Sequence, residues 1–177
     1  MKLGSALAPL VLLLALAGCG SSSAPSATPS SSTPNEPAVQ PCRGLDATAI
    51  SKALGSGVRI NEGSKGDPQC ALVPTHKGDP VFRLNYQWWF SGGLDAAFQT
   101  MTGDKGRASD IKVPGAHAAK LVVQAAPKQF FVSGFVENGN LIQLVNGEAL
   151  APYSKPRMLA ATRLILAELS KSAPASS

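Results

Sequence analysis

The chain has 177 residues, a formal net charge of +5, three cysteines and 44% hydrophobic side chains. That length holds one hydrophobic core beside its terminal segments, and not two. The small basic excess is scattered rather than gathered into a run or stripe, which argues against nucleic acid as a partner.

The first residues pair one cation, Lys2, with an apolar stretch from Leu7 to Leu16. A short apolar run behind a positive start is the shape of a secretory leader, and it is short for a membrane span. Ala17 and Gly18 are the thin side chains a signal peptidase requires, and Ser21, Ser22 and Ser23 end the apolar character at once. An ordinary leader has no need of Cys19 at the cleavage point. Leu16-Ala17-Gly18-Cys19 resembles the lipobox of bacterial lipoproteins at every position of that motif. The resemblance implies cleavage before Cys19, a thioether-linked diacylglycerol on its sulfur and acylation of the new amine, a palmitate being a common such acyl chain. Each buried methylene contributes about 0.8 kcal/mol, so paired chains anchor durably where one is marginal. The expected location is therefore extracytoplasmic, on the outer face of the cell membrane, held by lipid on Cys19.

Residues 19–41 are rich in Ser, Thr and Pro and nearly free of large apolar side chains. Such a segment lacks the surface to offset its ordering entropy, and it reads as a disordered linker. It spans roughly 25–30 Å as a coil and about 70 Å when stretched. Ser and Thr beside Pro are also O-glycosylation acceptors, although a plain linker explains them as well.

With Cys19 assigned to lipid, Cys42 and Cys70 remain in an oxidising compartment, and a disulfide between them is expected. Metal binding is the weaker alternative, because neither cysteine has a histidine at ligand spacing.

The remaining domain, residues 42–172, begins with a short helix. Asp46 is its N-cap, Leu45 and Ile50 form a staple, Ile50 and Leu54 share a face, and Gly55 stops it. Strands follow around Val58–Ile60 and Cys70–Val73, separated by Gly-Asp-Pro turns; Lys-Gly-Asp-Pro occurs at 65–68 and again at 77–80. From Val81 the alternation is regular: Phe82, Leu84, Tyr86 and Trp88 on one side, Arg83, Asn85 and Gln87 on the other. Period two over that length predicts a strand with one buried face.

A helix carrying Leu94, Phe98 and Met101 comes next, ended by Gly103. Strands are expected at Ile111–Pro114 and Lys120–Gln124. Asn138-Gly139 marks a tight hairpin, because both residues accept positive φ, and Gly134 is expected to mark a bulge in its first strand. The last element is an amphipathic helix entered near Ser154 and Pro156, with Leu159, Thr162, Ile165, Leu166 and Leu169 along one stripe. Residues 173–177 form a polar tail. The fold class expected is α+β: an antiparallel sheet with a short N-terminal helix, a middle helix and a C-terminal amphipathic helix packed on it.

Chemistry is harder to find. His76 and His117 both fall in loops and read as surface residues. No nucleophile elbow, Ser-x-x-Lys, His-Glu-x-x-His or phosphate-binding glycine loop occurs. Asp104, Asp110, Glu137 and Glu148 sit in loops or at strand ends with no spacing that pairs them. No catalytic residue, metal site or cofactor is expected, and the chain does not read as an enzyme. The single suggestive stretch is residues 86–90, Tyr-Gln-Trp-Trp-Phe. Trp88 continues the core face, whereas Trp89 lies on the polar face with Arg83. Trp89 and Arg83 are the candidate ligand-contacting residues; the competing reading places Trp89 beneath a helix.

The lipobox, the spacer, Cys42-Arg43-Gly44-Leu45-Asp46 before a helix ending Leu54-Gly55, and Cys70 opening a strand together resemble an actinobacterial lipoprotein family of unknown function. Members often carry an aromatic after the second cysteine, where this chain has Ala71. The resemblance implies an envelope-anchored, two-cysteine module without known catalysis. The expected function is a monomeric, non-catalytic binding or accessory domain, with the membrane as one partner and an envelope protein, wall glycan or lipid as another. The alternatives are a wall-active hydrolase or transferase, and a sensory or structural subunit of a membrane complex.

Overall fold

The computed structural model describes residues 39–64, 67–102 and 107–174. The expected leader, Cys19, most of the expected linker, Gly103, Asp104 and the end of the tail lie outside the described residues.

Helix α1 (Ala47–Leu54) forms where its caps dictate. The Asp46 carboxylate accepts from the Thr48 and Ala49 amides, and Gly55 closes the helix at φ 72°. Its apolar residues Ile50 and Leu54 are buried. Three strands follow, β1 (Val58–Ser64), β2 (Asp67–Pro74) and β3 (Val81–Trp88), then helix α2 (Gly93–Thr102). Strands β4 (Ser109–Asp110), β5 (Ala118–Ala126), β6 (Gln129–Asn138) and β7 (Leu141–Leu150) lead into α3 (Lys155–Ser172). The strands make one seven-stranded sheet in the order β1-β2-β3-β7-β6-β5-β4, and every pairing is antiparallel. The three helices pack on this sheet in an α+β arrangement.

Neighbouring residues on β6 show which face each helix takes. A side chain on Gly134 would run into Leu166 and Thr162 of α3. Phe135, one residue on and therefore on the opposite face, meets Phe98 of α2 edge to face at 5.3 Å. Helix α3, with α1 beside it, covers one face over Phe82, Leu84, Phe130, Val132, Val136 and Val145. Helix α2 covers only part of the other face, over Phe135 and Ile142.

Cys42 and Cys70 are joined, with Cα atoms 5.3 Å apart. The bridge ties the segment before α1 to β2 on the face that α3 covers, because Cys70 stands across from the buried Leu84.

Several local expectations are corrected. Gly134 marks no bulge: the register runs unbroken from Leu121 through Gly134 to Val145, and the missing side chain makes room for α3. The irregularity in the sheet falls instead between Asn61 and Gly63. The hairpin closes one residue later than expected, since Asn138 pairs with Leu141 and leaves Gly139 and Asn140 as the loop. Ile111–Pro114 is not a strand; after the two-residue β4 the chain buries Val113 and turns at Gly115, φ 79°. The core stripe of α3 is centred on Met158, Ala161, Thr162, Ile165, Leu166 and Leu169, with Leu159 only partly buried. On β3 the buried alternation ends early: Phe82 is 0% and Leu84 3% exposed, but Tyr86 is 41% exposed.

Candidate functional site

The face that α2 leaves open carries the candidate site, and strand register builds it. Arg83, Asn146, Ser133 and Val122 stand in one cross-strand row over β3, β7, β6 and β5. The adjacent row is Val81, Glu148, Phe131 and Gln124. The next two rows, containing Leu144, Phe135 and Lys120 and then Ile142, Glu137 and Ala118, run under α2. Three rows are thus left open, the third being Leu150, Gln129 and Ala126 at the end of the sheet.

Phe131 is the apolar centre of the open part, 38% exposed. It lines a shallow groove of about 280 Å³ with Val122, Gln124 and Ser133. The polar groups around it are partly fixed. Ser133 Oγ donates to Asn146 Oδ1 at 2.7 Å, and Gln129 Nε2 donates to Glu148 Oε1 at 3.2 Å. Arg83 forms the β3 end of the first row, and Asn85 and Gln87 further along that strand are exposed as well. An aromatic face among amides, a hydroxyl and a guanidinium offers stacking and directional hydrogen bonds. It holds no nucleophile paired with a base.

Arg83 therefore belongs to this patch and Trp89 does not. The two lie six residues apart, with Trp89 just past the end of β3, a separation of roughly 20 Å along extended chain. Trp89 is half-buried against the Leu94, Phe98 and Phe135 cluster, and its Nε1 is buried without a hydrogen-bond partner. Phe131 was legible in principle. Phe130 and Phe131 are adjacent on a strand, so they point to opposite faces, and only Phe130 is in the core at 0% exposed.

The carboxylates and histidines that the sequence singled out have other occupations. Glu137 Oε2 accepts from the Leu94 amide at 3.0 Å and so binds the positive end of α2. Asp110 joins Asp95 on Lys120, at 2.6 and 2.8 Å from its Nζ, tying β4 and α2 to β5. The Asp110 hydrogen bond, then that of Asp95, raises the Lys120 pKa from its ordinary value. His76 is an exposed turn residue beside Asp79, and His117 Nδ1 accepts from the Gly139 amide at 3.0 Å. Among the described residues, no three His, Cys, Asp or Glu side chains are grouped to hold a metal ion, and no helix is long and apolar enough to cross a membrane.

Compared with models of protein families, with curated proteins and with solved structures, the chain matches none.

Proposed function

We propose that this chain is a cell-envelope lipoprotein, held at the outer face of the membrane by lipid on Cys19, whose domain is a non-catalytic recognition module. Support for the anchor is the sequence Leu16-Ala17-Gly18-Cys19 and the Ser/Pro segment behind it. Support for recognition is one observation, the open patch of Arg83, Asn146 and Ser133 around the exposed Phe131. Helix α2 stops short of this part of the face and leaves the Phe131 ring open among polar side chains that can hydrogen-bond a ligand. The ligand class that suits it is a wall glycan, because a sugar ring pairs an apolar face with a rim of hydroxyls.

Titration of the protein with soluble wall-glycan fragments, followed by backbone amide shifts, tests this reading. The expected result is a saturable response at Phe131, Ser133, Asn146 and Arg83 that Phe131→Ala removes. Shifts absent from these four, or centred elsewhere, reject the patch. Cleavage of the fragments during the titration would turn the reading toward the wall-active hydrolase.

A further inference from the structure

The chain that leads back toward Cys19 joins the described domain at Val39, and the place of that junction is informative. Val39 and Gln40 line a cleft of about 240 Å³ with Cys42, Arg43, Glu62 and Gln69. Glu62 lies near the turn joining β1 to β2, and Gln69 is in the first half of β2. In an antiparallel pair the start of β2 lies beside the end of β3. The tether therefore enters at the end of the sheet where β3 finishes.

That end is aromatic. Tyr86, Trp88, Trp89 and Phe90 crowd the last residues of β3 and those just beyond it, and the Trp89 amide donates to Asn140 O in the β6–β7 turn, which fixes them at this end of the sheet. Phe90 is 61% and Tyr86 41% exposed, two of the four large hydrophobic residues left exposed among those described. Tyr86 and Trp88 continue the alternation that buries Phe82 and Leu84, yet the helix cover ends before them. The glycan patch needs neither Phe90 nor Tyr86.

We propose that this aromatic end, led by Phe90 and Tyr86, rests on the lipid surface of the membrane that carries the anchor. The inference rests on the lipoprotein reading, since the lipid on Cys19 is what brings the surface near. Tyr86 and Trp88, each an apolar body with a polar tip, suit the bilayer interface, and Phe90 adds apolar surface that leaves water on contact. A short tether supplies an effective concentration of about a millimolar, so a weak interfacial contact suffices to hold the domain down. Contact at this end places the tether entry against the membrane and leaves the β5–β6 hairpin and Leu150, at the far end of the sheet, in water.

The chain's two tryptophans, Trp88 and Trp89, both lie here, so their fluorescence reports the contact without a label. The full-length lipoprotein is reconstituted into vesicles of phosphatidylcholine and phosphatidylglycerol containing brominated acyl chains. Expected are tryptophan quenching in the attached protein, a severalfold reduction by Phe90→Ser, and no change with Leu150→Ser. Attachment without quenching overturns the membrane contact and leaves the anchor standing. Quenching that persists in vesicle-exposed Cys19→Ala protein supports the contact and shows that it forms without the anchor; quenching lost in that variant supports the contact as one that the tether holds. If Phe90→Ser leaves quenching intact and instead dissociates a dimer, the occupant of this end is a second copy and the proposal fails.

Discussion

Gly134 of β6 lies directly under Leu166 of α3: a Cβ on the glycine would stand 2.8 Å from Leu166 Cδ1 and 3.1 Å from Thr162 Cγ2. Both helix residues are 0% exposed, so neither has room to swing aside. Gly134→Ala is expected to destabilise the fold by about 1–3 kcal/mol through overpacking, more than the 0.5–1 kcal/mol recovered by removing a strand glycine. Urea denaturation measures it. In a Leu166→Ala background the penalty should shrink, and equal penalties in both backgrounds would place the clash elsewhere.

Glu168 makes a pH-dependent contribution. Its Oε2 accepts from the Asp46 amide at 3.1 Å, so α3 holds the entrance to α1. Burial raises its pKa above the ordinary 4.5, with the Asp46 hydrogen bond working in the other direction. A carboxyl with a raised folded pKa contributes stability that is complete below the unfolded value and is lost as pH rises through the folded one. Glu168→Gln keeps an acceptor and removes the charge. The variant should therefore gain on the parent as pH rises above 4.5 toward neutrality in thermal melts, and a gain that grows on acidification would reverse the sign.

Gln143 is 4% exposed on the face under α3, between Tyr86 and Val136, and its Oε1 has no hydrogen-bond partner. A buried acceptor left unmet costs about 1–3 kcal/mol. Gln143→Met, close in volume, should raise the denaturation midpoint; a loss of stability would show that the amide is satisfied in solution.

The Cys42–Cys70 bridge closes a sequence separation of 28 residues. On the chain-entropy model that contributes about 3–4 kcal/mol. Cys42→Ser with Cys70→Ser should lower stability by that order and loosen the segment before α1, which amide exchange at Arg43 and Leu45 would detect. Unchanged exchange would mean that the α1–α3 packing holds the segment by itself.

What the sequence made legible was local. Asp46 and Gly55 delimit α1 because caps act within one turn, and the residues around Gly139 mark the hairpin because positive φ is a property of the loop itself. What stayed hidden depends on partners distant in sequence. Alternation places Tyr86 beside Leu84 but does not say where the helix cover ends, and Tyr86 proves exposed. Gly134 reads as a weak point in a strand until Leu166, far along the chain, is set upon it. The patch was half visible: Arg83 was named, but with Trp89, because both stand on the polar side of β3. Phe131, Ser133 and Asn146 come to Arg83 only through the pairing of β3 with β7.

The central claim is a fatty anchor on one sulfur, and intact-mass and peptide analysis of the protein taken from its native membrane tests it most directly. The account predicts that the mature chain begins at Cys19, residues 1–18 being absent, with diacylglycerol in thioether linkage to Sγ. A chain that retains its first eighteen residues, or begins at Cys19 with an unmodified thiol, contradicts it.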